Sequence, residues 1–289
     1  MSSALHSVCT LDCPDTCSLS VWVEDGRMTK VRGSTANPLT GGKICAKVTR
    51  YPELVHGRGR IPAPLRRVGQ KGVGRFEQIS WDAALDEIHA RFMAIIAEHG
   101  PQAISPLNYA GPHGMLAGGS MDMRFFHKLG ASLLHRRSLC GGIKSEAHCG
   151  TFGNVPTMRP EHVGQARLIV PWGNNVSVSN LHLVPIIYAA QAKGAKLVVI
   201  DPMRTPIAGK ADMHIALRPG TDLVLAWSIA TELERLGALD QEFIARHVQG
   251  AEPFMARARQ YPAAQAAEIC GIPEAQIHEF VRLYAASSP

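Results

Sequence analysis

The sequence predicts an α/β fold in two parts. A small β-rich module comes first, followed by a parallel-sheet, Rossmann-like region with helices on both faces. Three observations carry this. Cysteines crowd positions 9 to 45, around two strand-like runs at 19–24 and 28–32 joined by Asp25-Gly26. Asp-Gly between two such runs is a strong hairpin signal. From Ala166 onward strand and helix patterns alternate, and the strands at 168–171 and 196–200 are nearly all apolar. Strands of that kind belong to parallel sheets covered on both sides.

Taken in order, residues 37–43 are rich in Gly and Pro and read as a loop returning the chain to Cys45. The module buries too little to be stable alone and needs a metal, a neighbour or both. Residues 62–73 read as a linker. Ser80 caps a helix running to His99, with Leu85, Ile88, Phe92 and Ile95 on one face and Gly100-Pro101 as its stop. Residues 103–105 look like a short strand, 111–119 like a glycine-rich loop, and 121–129 like a helix closed by Gly130. Helices over 183–193 and 222–236 end at Gly194 and Gly237. Three more short helices follow, the last after Pro273, a residue favoured at the first helical position. The expected domains are 1–62, 63–140 and 141–289.

The chain has 289 residues, 46% of them hydrophobic, enough for a sizeable core. Its formal net charge of +6 is scattered, without a basic stripe interleaved with aromatics, so nucleic acid is not an expected partner. The charge suits an anionic cofactor or substrate, or simply a solvated surface. There is no secretory or twin-arginine segment. The longest uncharged run, 168–192, is broken by Pro171, Gly173 and Pro185 and makes a poor membrane span. A soluble, cytoplasmic chain is expected, and there seven cysteines mean metal ligation or buried thiols rather than disulfides.

Cys9, Cys13, Cys17 and Cys45 follow the pattern Cys-x3-Cys-x3-Cys-x27-Cys. Three thiols on one loop and a fourth from far downstream suit a cubane cluster, whose four irons each take one thiolate. Structural zinc more often uses two separate Cys-x2-4-Cys knuckles. A [4Fe-4S] cluster is therefore favoured over zinc and over uncoordinated thiols, making residues 1–62 an iron–sulfur module. Lys47 would set a cation beside that cluster, or is an ordinary exposed lysine.

These cysteines, the Cys45-Ala46-Lys47 step and a series of later motifs resemble the molybdopterin oxidoreductases of the dimethyl-sulfoxide-reductase type. The later motifs are Pro64-Leu65-Arg66-Arg67-Val68-Gly69, Ile79-Ser80-Trp81-Asp82-Ala83-Ala84-Leu85, Trp172-Gly173-Asn174-Asn175, Ile200-Asp201-Pro202-Met203-Arg204-Thr205 and Arg218-Pro219-Gly220-Thr221-Asp222. The resemblance covers nearly the whole chain. It implies the N-terminal part of a longer catalytic subunit, with molybdenum held by two molybdopterin guanine dinucleotides.

What the resemblance implies has a physical side. Trp172, Gly173, Asn174 and Asn175 follow a buried strand, at the carboxyl end where parallel sheets bind ligands. Asp201 ends the next strand, where an acid can bond a ribose hydroxyl or a guanine edge. Arg204, beyond Pro202, can pair with a pyrophosphate. Asp222, behind Gly220, opens a helix and is a second guanine candidate by resemblance. Asp201 and Asp222 are also what a turn and a helix cap would use. Cys140 is the candidate protein ligand to molybdenum, a soft thiolate suited to that metal, with Cys149 second. Gly141 stands where formate dehydrogenases of the family carry His, which weakens a formate substrate, and no serine ligand is present. The implied activity is two-electron oxidation or reduction of a small molecule, with Cys140 and Lys47 in catalytic roles. Electrons would leave past Lys47 to the cluster and on to an electron-transfer protein or subunit. The alternative is an electron-transfer subunit without molybdenum, like that of NADH dehydrogenase.

Overall fold

The computed structural model describes residues 4–11, 13–108, 121–134, 141–154 and 157–287. The chain divides into two compact units, Met1–Pro156 and Thr157–Pro289.

In the first unit, β1 (Leu5–Val8), β2 (Ser18–Glu24) and β3 (Arg27–Gly33) form an antiparallel sheet in that order. The expected hairpin is present, and its turn residues Asp25 and Gly26 have φ of 50° and 74°. That pair of left-handed residues matches the twist of the flanking strands. Leu19, Val21 and Val31 turn to one side and bury with Cys17 and Val48. Val48 comes from α1 (Ala46–Thr49), and α2 (Tyr51–His56) lies against β3. His56 fastens it: its Nε2 accepts the Met28 N–H at 2.8 Å.

The segment expected as a linker contains a strand. β4 (Leu65–Arg67) pairs with β5 (Phe76–Gln78), and Arg66 ties them to the next helix through Glu77 at 3.2 Å and Glu87 at 2.9 Å. That helix, α3 (Trp81–His99), begins where Ser80 Oγ accepts the Ala83 N–H and stops at Gly100. Its apolar row is real, but no residue of α3 is buried. The strand expected at 103–105 does not form. A 3-10 turn, Pro101–Ala103, takes its place, because Ala103 and Ile104 spend their N–H groups on Gly100 and Pro101 carbonyls. α4 (Met121–Leu129) closes at Gly130 as expected, and α5 (Gly141–Phe152) follows. The glycine-rich run 111–119 lies outside the described residues.

The second unit starts with α6 (Pro160–Val163), then β6 (Leu168–Ile169), α7 (Val176–Ser179), α8 (Leu183–Ala192), β7 (Lys196–Ile200) and β8 (Met213–Ile215). The three strands form a parallel sheet with β7 in the centre. α9 (Asp222–Arg235), α10 (Gln241–His247), α11 (Ala251–Ala258), α12 (Ala263–Cys270) and α13 (Glu274–Ser287) complete it. Four helices follow α9 where three were expected, because Gly250, at φ 77°, turns the chain between α10 and α11. Strand alternation then builds the layers. Leu197 and Val199 face α8, with Ile187 and Ala190, while Val198 and Ile200 face α9, α12 and α13, with Leu225, Ala266, Ile277 and Phe280. Each fully buried side chain of this kind contributes about 1.5–3 kcal/mol. Helices thus cover both faces, as the apolar strands predict.

Candidate cofactor sites

In the first unit the hairpin brings Cys9 and Cys17 side by side, the Cys9 N–H donating to the Cys17 carbonyl at 2.9 Å. Between them a turn closes from the Thr16 N–H to the Cys13 carbonyl at 3.3 Å, with Thr16 at φ 45°. Cys45 arrives at the start of α1, delivered by the predicted return loop. Asn37 folds that loop by accepting the Leu39 and Thr40 N–H groups at 3.1 and 3.3 Å. Its close approach requires glycine at 33, where a Cβ would stand 2.5 Å from the Gly42 carbonyl.

Cys17 is buried in the module's small core with Cys9 and Cys45 packed against it, and Cys13 lies near enough to Cys17 and Cys45 to feel their charge. Burial, then Asp15, then Cys9, Cys13 and Cys45 push the Cys17 thiol up to about 11. The Cys13 thiol is raised by burial and less strongly by Asp15 and Cys45, and is drawn back by the Asp15 N–H and by Lys47. Thiolates that oppose one another's ionisation are what a multi-iron cation relieves, so binding would displace protons. Among the described residues, no three His, Cys, Asp or Glu side chains are set to grip a single ion. Four cysteine thiols, three from one loop and one from downstream, are the donor set a cubane takes, one thiolate to each iron. The donor set fits a [4Fe-4S] cluster.

Lys47 is exposed on α1, close enough to act on Cys13. Two neighbours were not singled out from sequence. Asp15, buried between Cys13 and Cys17, sets a carboxylate against the thiols. Tyr51, which opens α2, packs against the same small core as Cys9 and Cys45, with its hydroxyl 3.5 Å from Thr10 Oγ1. The first was legible from its place between two ligands. The second needed the fold.

In the second unit, the predicted residues gather at the carboxyl end of the sheet. Trp172 bridges to Ile200, so Gly173 emerges beside Asp201. The Gly173 N–H donates to the Ile200 carbonyl at 2.8 Å, with φ 59° turning the chain away from the sheet. Trp172 and Asp222 meet directly: the indole Nε1–H donates to Asp222 Oδ1 at 2.7 Å. Gly220, at φ 85°, places Asp222 at the first turn of α9. Asp201 is 9% exposed, its Oδ1 accepts the Met203 N–H at 2.8 Å, and its carbonyl accepts from His214 Nε2 at 2.9 Å. Its carboxylate therefore does shape a turn. Asn174 accepts from Ser179 Oγ at 3.3 Å. Pro202 and Arg204 are exposed, and Arg204 has no hydrogen-bond or ion-pair partner among the described residues.

One buried polar atom in this crevice is orphaned: Asn175 Oδ1 has no partner among the described residues. Buried acceptors are rarely left so. An unsatisfied amide oxygen, a guanidinium unpaired among the described residues, and two oriented carboxylates, one at a strand end and one at a helix start, fit an anionic, hydrogen-bonding cofactor. Arg218, by contrast, is occupied: its Nη1 donates to the Glu268 carbonyl at 3.0 Å and holds the end of α12. Cys140 lies outside the described residues. Cys149 is exposed on α5, and Cys270 is buried in the second unit's core.

Comparison with known proteins adds a family. Residues 60–243 match the family model of the molybdopterin oxidoreductases, and residues 3–57 match the molybdopterin oxidoreductase Fe4S4 domain. The chain belongs to the molybdopterin oxidoreductase family. Among its relatives is the "Probable oxidoreductase YoaE" of Bacillus subtilis, 36% identical over 98% of this chain and 42% of that protein. The dimethyl sulfoxide reductase DmsA of Escherichia coli is 28% identical over 85% of this chain and 32% of its own length. Acetylene hydratase from Pelobacter acetylenicus superimposes with a TM-score of 0.76 at 28% identity, covering 98% of this chain and 39% of that one. The chain thus spans about two fifths or less of the molybdopterin oxidoreductase relatives it matches. No helix among the described residues is long and apolar enough to cross a membrane.

Proposed function

We propose that this chain is the N-terminal portion of a molybdenum-dependent oxidoreductase catalytic subunit. Cys9, Cys13, Cys17 and Cys45 hold a [4Fe-4S] cluster. The observation that carries this is that all four lie within the residues matching the Fe4S4 domain, three of them packed in one small core. Asn175, Asp201, Arg204 and Asp222 hold the guanine dinucleotide end of a molybdopterin cofactor, Trp172 fixing the Asp222 carboxylate for the contact. Gly173 and Gly220 let the backbone approach it, and Asn174 and Pro202 shape the loops. Cys140 is the proposed thiolate ligand to molybdenum. When bound, that centre supplies two-electron redox chemistry. Lys47 stands beside Cys13 as a fixed positive charge, favouring the more negative, reduced state of whatever its neighbours bind. A small-molecule substrate and an electron-accepting or electron-donating protein complete the reaction, which we place in the cytoplasm.

The match over 60–243 to the molybdopterin model favours this over a molybdenum-free electron-transfer subunit. The likeness to acetylene hydratase supports a second reading, addition of water at the same kind of centre without net electron transfer. Metal and pterin analysis of the full-length protein tests the proposal. Iron with molybdenum or tungsten and a pterin guanine dinucleotide is expected; iron alone would overturn it. Turnover that requires an electron donor or acceptor separates the oxidoreductase from the hydratase.

A further inference from the structure

Asp201 follows Ile200, the last residue of β7 that pairs with β8. Its N–H still reaches the Ile215 carbonyl at 3.2 Å, but its own carbonyl lies beyond the paired residues. A buried carbonyl needs a donor from somewhere. His214 supplies it, with Nε2 at 2.9 Å from the Asp201 carbonyl oxygen. That oxygen can only accept, so Nε2 carries the proton. The strand pattern explains how the ring comes to be there. His214 pairs with Val199 and stands on the Val199 face of the sheet, while Met213 and Ile215 turn into the opposite core. Asp201 is two residues on from Val199. β8 is itself anchored at this point, since Gln276 Nε2 of α13 donates to the His214 carbonyl at 2.9 Å.

We propose that His214 is a positioning residue for the guanine dinucleotide site, acting through Asp201. Three bonds hold Asp201: its N–H to Ile215, its carbonyl to His214, and Oδ1 to the Met203 N–H at 2.8 Å. Oδ2 is in none of them and is the oxygen left to accept from a ligand. A carboxylate fixed before the ligand arrives has less freedom to lose on binding. The two acids of the crevice are thus secured in different ways. Trp172 grips the Asp222 carboxylate directly, whereas His214 grips the main chain that carries the Asp201 carboxylate. The inference rests on the reading that Asp201 contacts the dinucleotide.

The test follows how fast the full-length protein loses its guanine dinucleotide in urea below the unfolding transition, read as GMP released by acid hydrolysis of the retained fraction. His214→Phe removes the donor and keeps a flat ring. We expect loss about two- to tenfold faster, the range that one hydrogen bond spans. His214→Gln, whose amide can occupy the Nε2 position, should restore the wild-type rate. The deciding readout is the pair with Asp201→Asn, which keeps Oδ1 for Met203 and replaces Oδ2 by an amide nitrogen. In that background His214→Phe should add nothing, because residues acting through one contact are not additive. Equal acceleration in both backgrounds is what a general structural role gives, and it overturns the inference. An unchanged rate for His214→Phe alone overturns it too. If His214→Phe does not fold, His214→Asn takes its place in both backgrounds with the same expectations, since its amide stands at the level of Nδ1, short of the carbonyl. Wild-type protein that carries no guanine dinucleotide would count instead against the cofactor reading itself.

Discussion

The two units hold their sites by different means. In the second, a three-stranded sheet lies between two clusters of buried apolar side chains, and the site residues ride on strand ends and a helix start. The crevice exists because the core beneath it is complete. In the first, the N-terminal module has five buried core residues among those described, and one is Cys17 itself, with Cys9 and Cys45 packed against them. There the proposed ligands are part of the core. The contrast teaches that cofactor loss should leave one site standing and dissolve the other, since metal binding energy becomes folding energy where no independent core exists.

The largest test of that contrast is removal of iron. Hydrogen exchange on the full-length protein, before and after chelation, should show β2, β3 and α1 losing most of their protection while β7 and β8 keep theirs. Equal loss in both would break the comparison. Next in size, Phe280→Ala removes a ring that is 2% exposed at the centre of the second unit's core. It should cost about 3–5 kcal/mol in denaturant unfolding of that unit, while the cluster's absorbance midpoint stays put.

Smaller effects sharpen the account. Gly33→Ala would force a Cβ against the Gly42 carbonyl and push the return loop away from Cys45. About 1–3 kcal/mol is expected, read as lower iron occupancy after purification. The smallest effect concerns Asp212. Burial raises its carboxyl, but the Leu197 N–H and Lys196 outweigh that and leave it below the usual range. A depressed carboxyl stabilises the fold above its unfolded value, near pH 4, and that contribution is lost as pH falls further. Asp212→Asn should therefore lower the second unit's stability slightly at pH 7 and flatten the acid limb of its stability curve, the two proteins converging at low pH.

Much of this was legible before the fold. Asp25-Gly26 announced the hairpin, and the apolar runs at 168–171 and 196–200 announced buried parallel strands. The Trp172 and Asp201 motifs lay at the ends of those strands, so their meeting place followed from topology alone. Other features were hidden for physical reasons. β8 is three residues long, too short for periodicity, and β4 sits in a Gly- and Arg-rich stretch that reads as coil. The row of Leu85, Ile88, Phe92 and Ile95 marks a helix correctly but not burial, since periodicity records only which side is apolar. The Trp172–Asp222 bond spans fifty residues and the Thr10–Tyr51 bond forty-one, and pairings at that distance appear only once the chain has folded.

The most direct measurement is iron and acid-labile sulfide, counted on anaerobically purified full-length protein and paired with EPR after reduction. About four irons and four sulfides per chain, with a spin-half signal, are the expected result for a cubane on Cys9, Cys13, Cys17 and Cys45. One zinc per chain, with no sulfide and no signal, would contradict it.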